Sequence, residues 1–278
     1  MKRLLILGFA MLAAACGDRT DDTLMQGYGE ADYIYLASQE SGVVREILVR
    51  EGDSVEAGAR VFDLDADRLS LNVQGAAANR GALVQAVEAA RASAALAQRN
   101  FARSTELFQQ GFFSQARLDA DRAARDAASA QLDQARRTLS AASAETGLAR
   151  ERLSDLSGAA PTAGTIERIY HRPGEVVTAG QPIAALLSPE YQKVRFFAPE
   201  ALLGRLTMGA QVVLSCDGCA DGLTGTISFI ATEPQFTPPV IYSLDQRDKL
   251  VFLVEARLDA PGAIRPGMPV DVRLAPAP

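Results

Sequence analysis

Residues 42–64 read GVVREILVREGDSVEAGARVFDL and residues 164–186 read GTIERIYHRPGEVVTAGQPIAAL, and the two align without a gap at an offset of 122 (from 42 to 164). Gly42/Gly164, Ile47/Ile169, Arg50/Arg172, Gly52/Gly174, Val55/Val177, Ala57/Ala179, Gly58/Gly180 and Leu64/Leu186 are identities. Each copy reads as a short alternating strand, a turn at Gly52 or Gly174 followed by an acidic residue, a second glycine turn and another strand. A motif this short cannot bury a core alone, so the copies are read as two halves of one small sheet sandwich. That reading constrains everything between them, because the chain must leave the sandwich and return to it.

The intervening stretch is helical by its spacing. Steps of four and three from Leu69 give Leu69, Val73, Ala76, Arg80, Leu83, Val87, Ala90, Ala94, Ala97, Phe101, Ser104 and Phe108, and ten of these twelve are apolar. This is a heptad seam. A return arm carries Leu118, Ala128, Leu132, Ala135, Leu139, Ala142, Ala149, Leu153 and Leu156 on a comparable register, interrupted by Arg125 and Thr146. Alanine-rich seams let antiparallel helices approach closely, and the polar outer faces predict a solvated hairpin with arms of roughly 60 Å at 1.5 Å per residue. A stalk that binds nothing would show the same charged faces.

The predicted tip, RSTELFQQGFFSQARLD at 103–119, departs from that pattern. Gly111 supplies the positive φ that reverses the chain, and Ser114 is a helix N-cap candidate, with Ala116 and Arg117 opening the return arm. Adjacent Phe112 and Phe113 cannot both enter one two-helix seam. At least one should face solvent, where aromatics commonly mark an interface.

After Tyr191 the pattern becomes strands separated by Gly/Pro turns, which suggests a small antiparallel barrel; in KLVFLVEARL, Leu250, Phe252, Val254, Ala256 and Leu258 are the expected inward set. With 278 residues, 48% of them hydrophobic, the chain can build two or three small domains. A net charge of -6 and the absence of a basic cluster argue against nucleic acid as a partner.

The N-terminus reads MKRLLILGFAMLAAACGD: Lys2 and Arg3, an apolar stretch at 4–12, then small residues before Cys16. This is a secretory signal, too short to span a bilayer. It resembles a bacterial lipobox, with Ala13 where leucine is usual, which implies diacylation of Cys16 and stable attachment to a membrane face. An ordinary signal cut near Ala15 is the alternative. Cys216 and Cys219, in SCDGCADG, read first as a local disulfide in an oxidising compartment; zinc or reduced packing cysteines compete. Zinc would need two further ligands, and the sole histidine, His171, is in another segment. His171 falls where the other copy has Val49, so a strand-surface position explains it better than catalysis. The chain has no phosphate-cradling GxxxxGK[ST] motif, and no catalytic residue, metal site or cofactor is expected.

The repeat resembles the biotinyl/lipoyl-type hammerhead domain, whose halves are related by a pseudo-two-fold axis. In carriers of that kind a lysine between the halves bears the prosthetic group, yet residues 66–157 contain no lysine. A long helical insertion at that point resembles the HlyD-type membrane fusion proteins, or periplasmic adaptors. The segments RPGMPVDVRL at 265–274 and EPQFTPPVIYSLDQRDKLVFLVEA at 233–256 look like the barrel of adaptors paired with ABC-type exporters. In adaptors that dock onto TolC-like channels, the tip carries arginine, leucine four positions on and serine seven further; here these are Arg103, Leu107 and Ser114.

The resemblance implies an elongated α+β chain: signal peptide at 1–15, linker and a possible membrane-proximal strand at 16–38, a split lipoyl-like domain at 39–65 and 160–190, an antiparallel α-helical hairpin at 66–157 with its tip near 109–114, and a β-barrel at 191–275. Many adaptors continue past the barrel into a membrane-proximal domain, and the expectation here is either that this domain is lacking or that residues from about 27 to 38 contribute a remnant of it. Function follows as an expectation: a non-enzymatic periplasmic adaptor, held by lipid to the inner membrane, joining an ABC-type transporter to a TolC-like outer-membrane channel. Arg103, Leu107, Phe112, Phe113 and Ser114 would meet the channel, and copies would associate in a ring, hexameric in such families. An envelope lipoprotein with a structural coil and, opposed by the missing lysine, a biotin or lipoate carrier are the rivals.

Overall fold

The computed structural model describes residues 24–236 and 250–275, so the expected signal segment and Cys16 lie outside the described residues. In chain order, β1 (Met25–Ala31) and β2 (Ile34–Ala37) precede the first repeat copy, which forms β3 (Gly42–Ile47), β4 (Ser54–Val55) and β5 (Arg60–Leu64). Helices α1 (Asp67–Gln109) and α2 (Gln115–Ser154) follow. The chain returns through β6 (Ser157–Ala159) to the second copy, β7 (Gly164–Ile169), β8 (Val176–Val177) and β9 (Pro182–Leu187). The last third is β10 (Gln192–Pro199), β11 (Gln211–Ser215), β12 (Leu223–Ile230), β13 (Gln235–Phe236), β14 (Leu250–Leu258) and β15 (Pro269–Leu274). These elements form two compact units, one over residues 34–186 and the other built from β1 and β10 to β15.

In the first unit the sheets run β2-β9-β7-β4 and β6-β5-β3-β8. Adding 122 to the first-copy strands turns β2, β3, β4 and β5 into β6, β7, β8 and β9, so one sheet is the image of the other. The copies exchange strands: β4 pairs with β7, and β3 with β8. Gly52 N–H donates to Ile166 O and Gly174 N–H to Val44 O, both at 2.8 Å, while Gly58 N–H reaches Ala160 O at 2.7 Å and Gly180 N–H reaches Ser38 O at 2.8 Å. Each half therefore closes the turns of the other, and neither half can satisfy its backbone alone. Val44 and Ile166, Val61 and Ile183, and Leu64 and Leu186 occupy equivalent buried positions.

One pair of equivalent sites is filled asymmetrically. Leu36 stands opposite Ala184, whereas the equivalent pair is Gly158 opposite Phe62. Large meets small in both cases, with the bulk on different strands, which keeps core volume nearly constant. A Cβ on Gly158 would lie 2.1 Å from Phe62 Cε1, so the ring fills the space that a side chain there would need.

The insertion is the expected hairpin. α1 has 43 residues and α2 has 40, which at 1.5 Å per residue gives arms of about 60 Å. Every predicted seam position on α1 is buried or half-buried except Arg80, whose Nε donates to Ser143 Oγ at 3.1 Å across the seam. The two interruptions on the return arm are absorbed. Thr146 is buried and its hydroxyl donates to Ala142 O and Ala76 O at 2.8 and 3.2 Å; Arg125 lies over Phe101, 4.4 Å from the ring centroid. Leu156, expected in the seam, comes after the end of α2 and belongs to the sheet core, as does Leu69 at the other root.

The second unit is a barrel. Strands β10-β1-β15-β11-β12-β14 close through the β10–β14 pairing, and β13 adds to β14. Val194, Phe196, Val212, Leu214, Ile227, Val254, Ala256, Val270 and Val272 line its interior. Two expectations need correction. Residues 27–38 are not a separate remnant: β1 pairs with β10 and β15 and is required for closure, while β2 joins the sheets of the other unit. On β14, Val254, Ala256 and Leu258 point inward as expected, but Val251 is buried instead of Leu250. The phase changes where the partner of β14 passes from β12 to β13, past a register shift at Ile227/Phe229.

An ion-pair network ties β1, β10 and β14 together. Arg195 meets Glu30 and Glu255 at 2.7 Å, and Lys193 meets Glu255 and Asp32 at 3.0 Å. Burial by itself would raise the pKa of Glu255, but hydrogen bonds from Arg195 and Lys193 outweigh it and hold the carboxyl below its ordinary value. A depressed carboxylate contributes stability that is present above the unfolded-state value, about 4.3, and lost as pH falls through the folded value. Amide exchange in β10 and β14 should accelerate as pH is lowered below that value, after correction for intrinsic exchange. Glu255→Gln should remove most of this pH dependence, at the cost of lower stability near neutrality.

Candidate functional site at the hairpin tip

The tip follows from backbone rules. α1 ends at Gln109 with Gln110 as its C-cap; Gly111, at φ 83°, donates its N–H to Phe108 O at 2.9 Å, and Phe112 N–H reaches back to Leu107 O at 2.9 Å. This paired closure satisfies the last carbonyls of the helix and fixes Leu107 and Phe112 to one another through the main chain. Ser114 then starts α2: its backbone is extended and its Oγ accepts from Arg117 N–H at 3.4 Å.

Beneath the turn the helices are fastened through Asp121, which the sequence reading did not single out. Asp121 accepts a hydrogen bond from Ser104 Oγ and pairs with Arg117 Nε at 3.2 Å. Arg117 in turn lies 6.0 Å from the centroid of Phe113. A polar serine inside an apolar seam was the available signal, since a buried hydroxyl needs a partner. Asp121→Ala would strip Ser104 and Arg117 of that partner and should cost about 1.5–3 kcal/mol locally. It would be seen as faster amide exchange across 104–121 with the rest of the hairpin unchanged.

The predicted contact residues thus divide. Phe112 is 75% exposed, whereas Phe113 is half-buried under Arg117. Arg103 is exposed and makes no hydrogen bond or ion pair among the described residues. Leu107 is half-buried and Ser114 is exposed while serving as the cap. Leu107, Phe112, Phe113 and Ser114 therefore belong to the reversal itself, while Arg103 lies on α1 four residues before Leu107. Cys216 and Cys219 are joined as a disulfide in the β11–β12 turn, with Cα atoms 5.3 Å apart. His171 Nδ1 lies 2.9 Å from Glu175 Oε2, and this hydrogen bond, with one from the Arg172 backbone, holds the Glu175 carboxyl below its ordinary pKa. Among the described residues no helix is long and apolar enough to cross a membrane.

Exchanged repeat, inserted hairpin and closed barrel define a membrane fusion protein fold. The structure of MacA from Actinobacillus actinomycetemcomitans matches with a TM-score of 0.73 over 91% of this chain and 78% of that one, at 17% identity. The membrane fusion protein Spr0693 from Streptococcus pneumoniae R6 matches with a TM-score of 0.55 over 92% of this chain and 99% of that one, at 19% identity. The resemblance to membrane fusion proteins read from the repeat and the hairpin therefore holds for the fold across nearly the whole chain. In sequence, the chain is similar to a UPF0194 membrane protein of Yersinia pseudotuberculosis, 32% identical over 116 residues that make up 41% of this chain and 35% of that protein. The UPF0194 membrane protein YbhG of Salmonella arizonae is 31% identical over 121 residues, 43% and 37% of the respective chains. These matches span little more than a third of those relatives' length. No family model matches the chain.

Proposed function

We propose that this protein is a periplasmic adaptor of a tripartite efflux or secretion system, lipid-anchored at Cys16, bridging an ABC-type inner-membrane transporter to a TolC-like outer-membrane channel. The observation that carries this reading is the tip: the reversal of the hairpin holds a 75% exposed phenylalanine, Phe112, and the arm leading into it presents Arg103, exposed and without an ion pair among the described residues. A purely structural stalk has no use for that pair. The ABC assignment rests on the resemblance of segments 233–256 and 265–274, of which 237–249 lie outside the described residues. The protein's work is reach and sealing: each hairpin supplies a weak contact, and copies arranged in a ring add those contacts through effective concentration.

Photocrosslinking in living cells from positions 107 and 113 tests this directly. Capture of an outer-membrane channel subunit is the expected result. Capture of nothing but a second copy of this chain, with no exporter copurifying, would favour an envelope lipoprotein with a structural coil.

A further inference from the structure

Away from the hairpin, three sulfur atoms converge at one end of the barrel. Cys219 Sγ lies 3.7 Å from Met268 Sδ, and Cys216 is joined to Cys219. Met268 comes from the turn before β15, far from the cysteines in sequence, and the antiparallel pairing of β11 with β15, Ser215 opposite Asp271, brings it beside them. Both turns are held by the backbone: Cys219 N–H donates to Cys216 O at 3.1 Å, Met268 N–H donates to Arg265 O at 3.2 Å, and Met268 O accepts from Gly29 N–H at 2.8 Å. All three side chains are half-buried, and Cys216 and Met268 line a cavity of about 550 Å³ that Asp217 and Asp271 also border.

Three sulfurs each about 2.3 Å from a shared ion stand about 4 Å apart in a trigonal plane; the 3.7 Å between Cys219 Sγ and Met268 Sδ already meets this, and the Cys216–Cys219 pair can reach it only once its bond is broken. Thiolate and thioether together favour soft monovalent d10 ions, and the bordering carboxylates attract cations without supplying a tetrahedral set. Among the described residues no group of three or more His, Cys, Asp or Glu side chains is placed to hold a metal, which disfavours zinc. We infer that Cys216, Cys219 and Met268 form a redox-gated, three-coordinate site for a soft monovalent cation such as Cu(I), closed while the disulfide is intact and open when it is reduced.

Opening needs two electrons and two protons, which a dithiol reductant supplies by exchange. Its thiolate attacks one sulfur, the Cys216–Cys219 bond breaks, and the reductant leaves as its own disulfide. Cu(I) then displaces the two thiol protons and takes Met268 as the third, neutral ligand.

The test titrates anaerobic Cu(I) against a colorimetric chelator in the full chain, oxidised and after reduction and removal of the reductant. Reduced protein should take one more Cu(I) than C216S/C219S, which reports any metal held by Cys16, and the oxidised chain should take no more than that variant. M268L, which conserves volume, should weaken binding at least tenfold with an unchanged far-UV spectrum. X-ray absorption on the wild-type complex should count three sulfur neighbours, a readout that does not depend on how the variant folds. Equal binding by oxidised and reduced chains, no excess over C216S/C219S, or a two-sulfur shell would each overturn the assignment.

Discussion

Leu107→Asp and Arg103→Asp should each reduce export to the level of a deletion strain, while the protein still accumulates, folds and fractionates with the membrane. Arg103 has no partner to lose among the described residues, so reversing its charge leaves the hairpin intact and alters only what the tip presents. Leu107 takes part in the turn through its carbonyl, which accepts from Phe112 N–H, and that bond survives any side-chain change. Interface anchors of this kind contribute about 2 kcal/mol or more each, and the loss is repeated in every copy of a ring. Folding is checked by amide exchange across the hairpin and function by drug or substrate export. Full export by both variants would remove the docking role from this turn.

Phe62→Ala should produce the largest loss of stability, about 3–5 kcal/mol, confined to the sheets of residues 34–186. The ring is fully buried and faces Gly158, which has no side chain to move into the space. At the equivalent pair, Leu36 and Ala184, the bulk sits on the other strand, so truncating Phe62 leaves both members of its pair small. Exchange in β5 and β6 should rise by orders of magnitude while the barrel strands keep their protection. Phe62→Leu should recover most of the loss, since it restores most of the volume. A cost below about 1 kcal/mol would mean that the site collapses, against the backbone bonds that hold β5 and β6 in place.

Much of this architecture is legible because it is written in local periodicity. The offset of 122, the heptad steps from Leu69, the glycine at 111 and the cap at Ser114 each express a backbone requirement that a few neighbouring residues meet together. β2 and β6 are not legible as parts of the repeat for the converse reason: residues 34–37 and 156–159 share its offset but few side chains, and they are strands because β9 and β5 offer them partners. β1 was misread as a remnant of another domain because a strand's owner is chosen by barrel closure, which no short window encodes.

By itself, then, the sequence determined a duplicated sheet motif divided by a long helical hairpin, since turn glycines and spacing act over a few residues. Tertiary structure alone decided that the copies exchange strands, that Phe112 faces outward while Phe113 lies beneath Arg117, and that Met268 meets the cysteines. Those outcomes depend on which distant surfaces share one packed volume, and sequence spacing carries no measure of that distance.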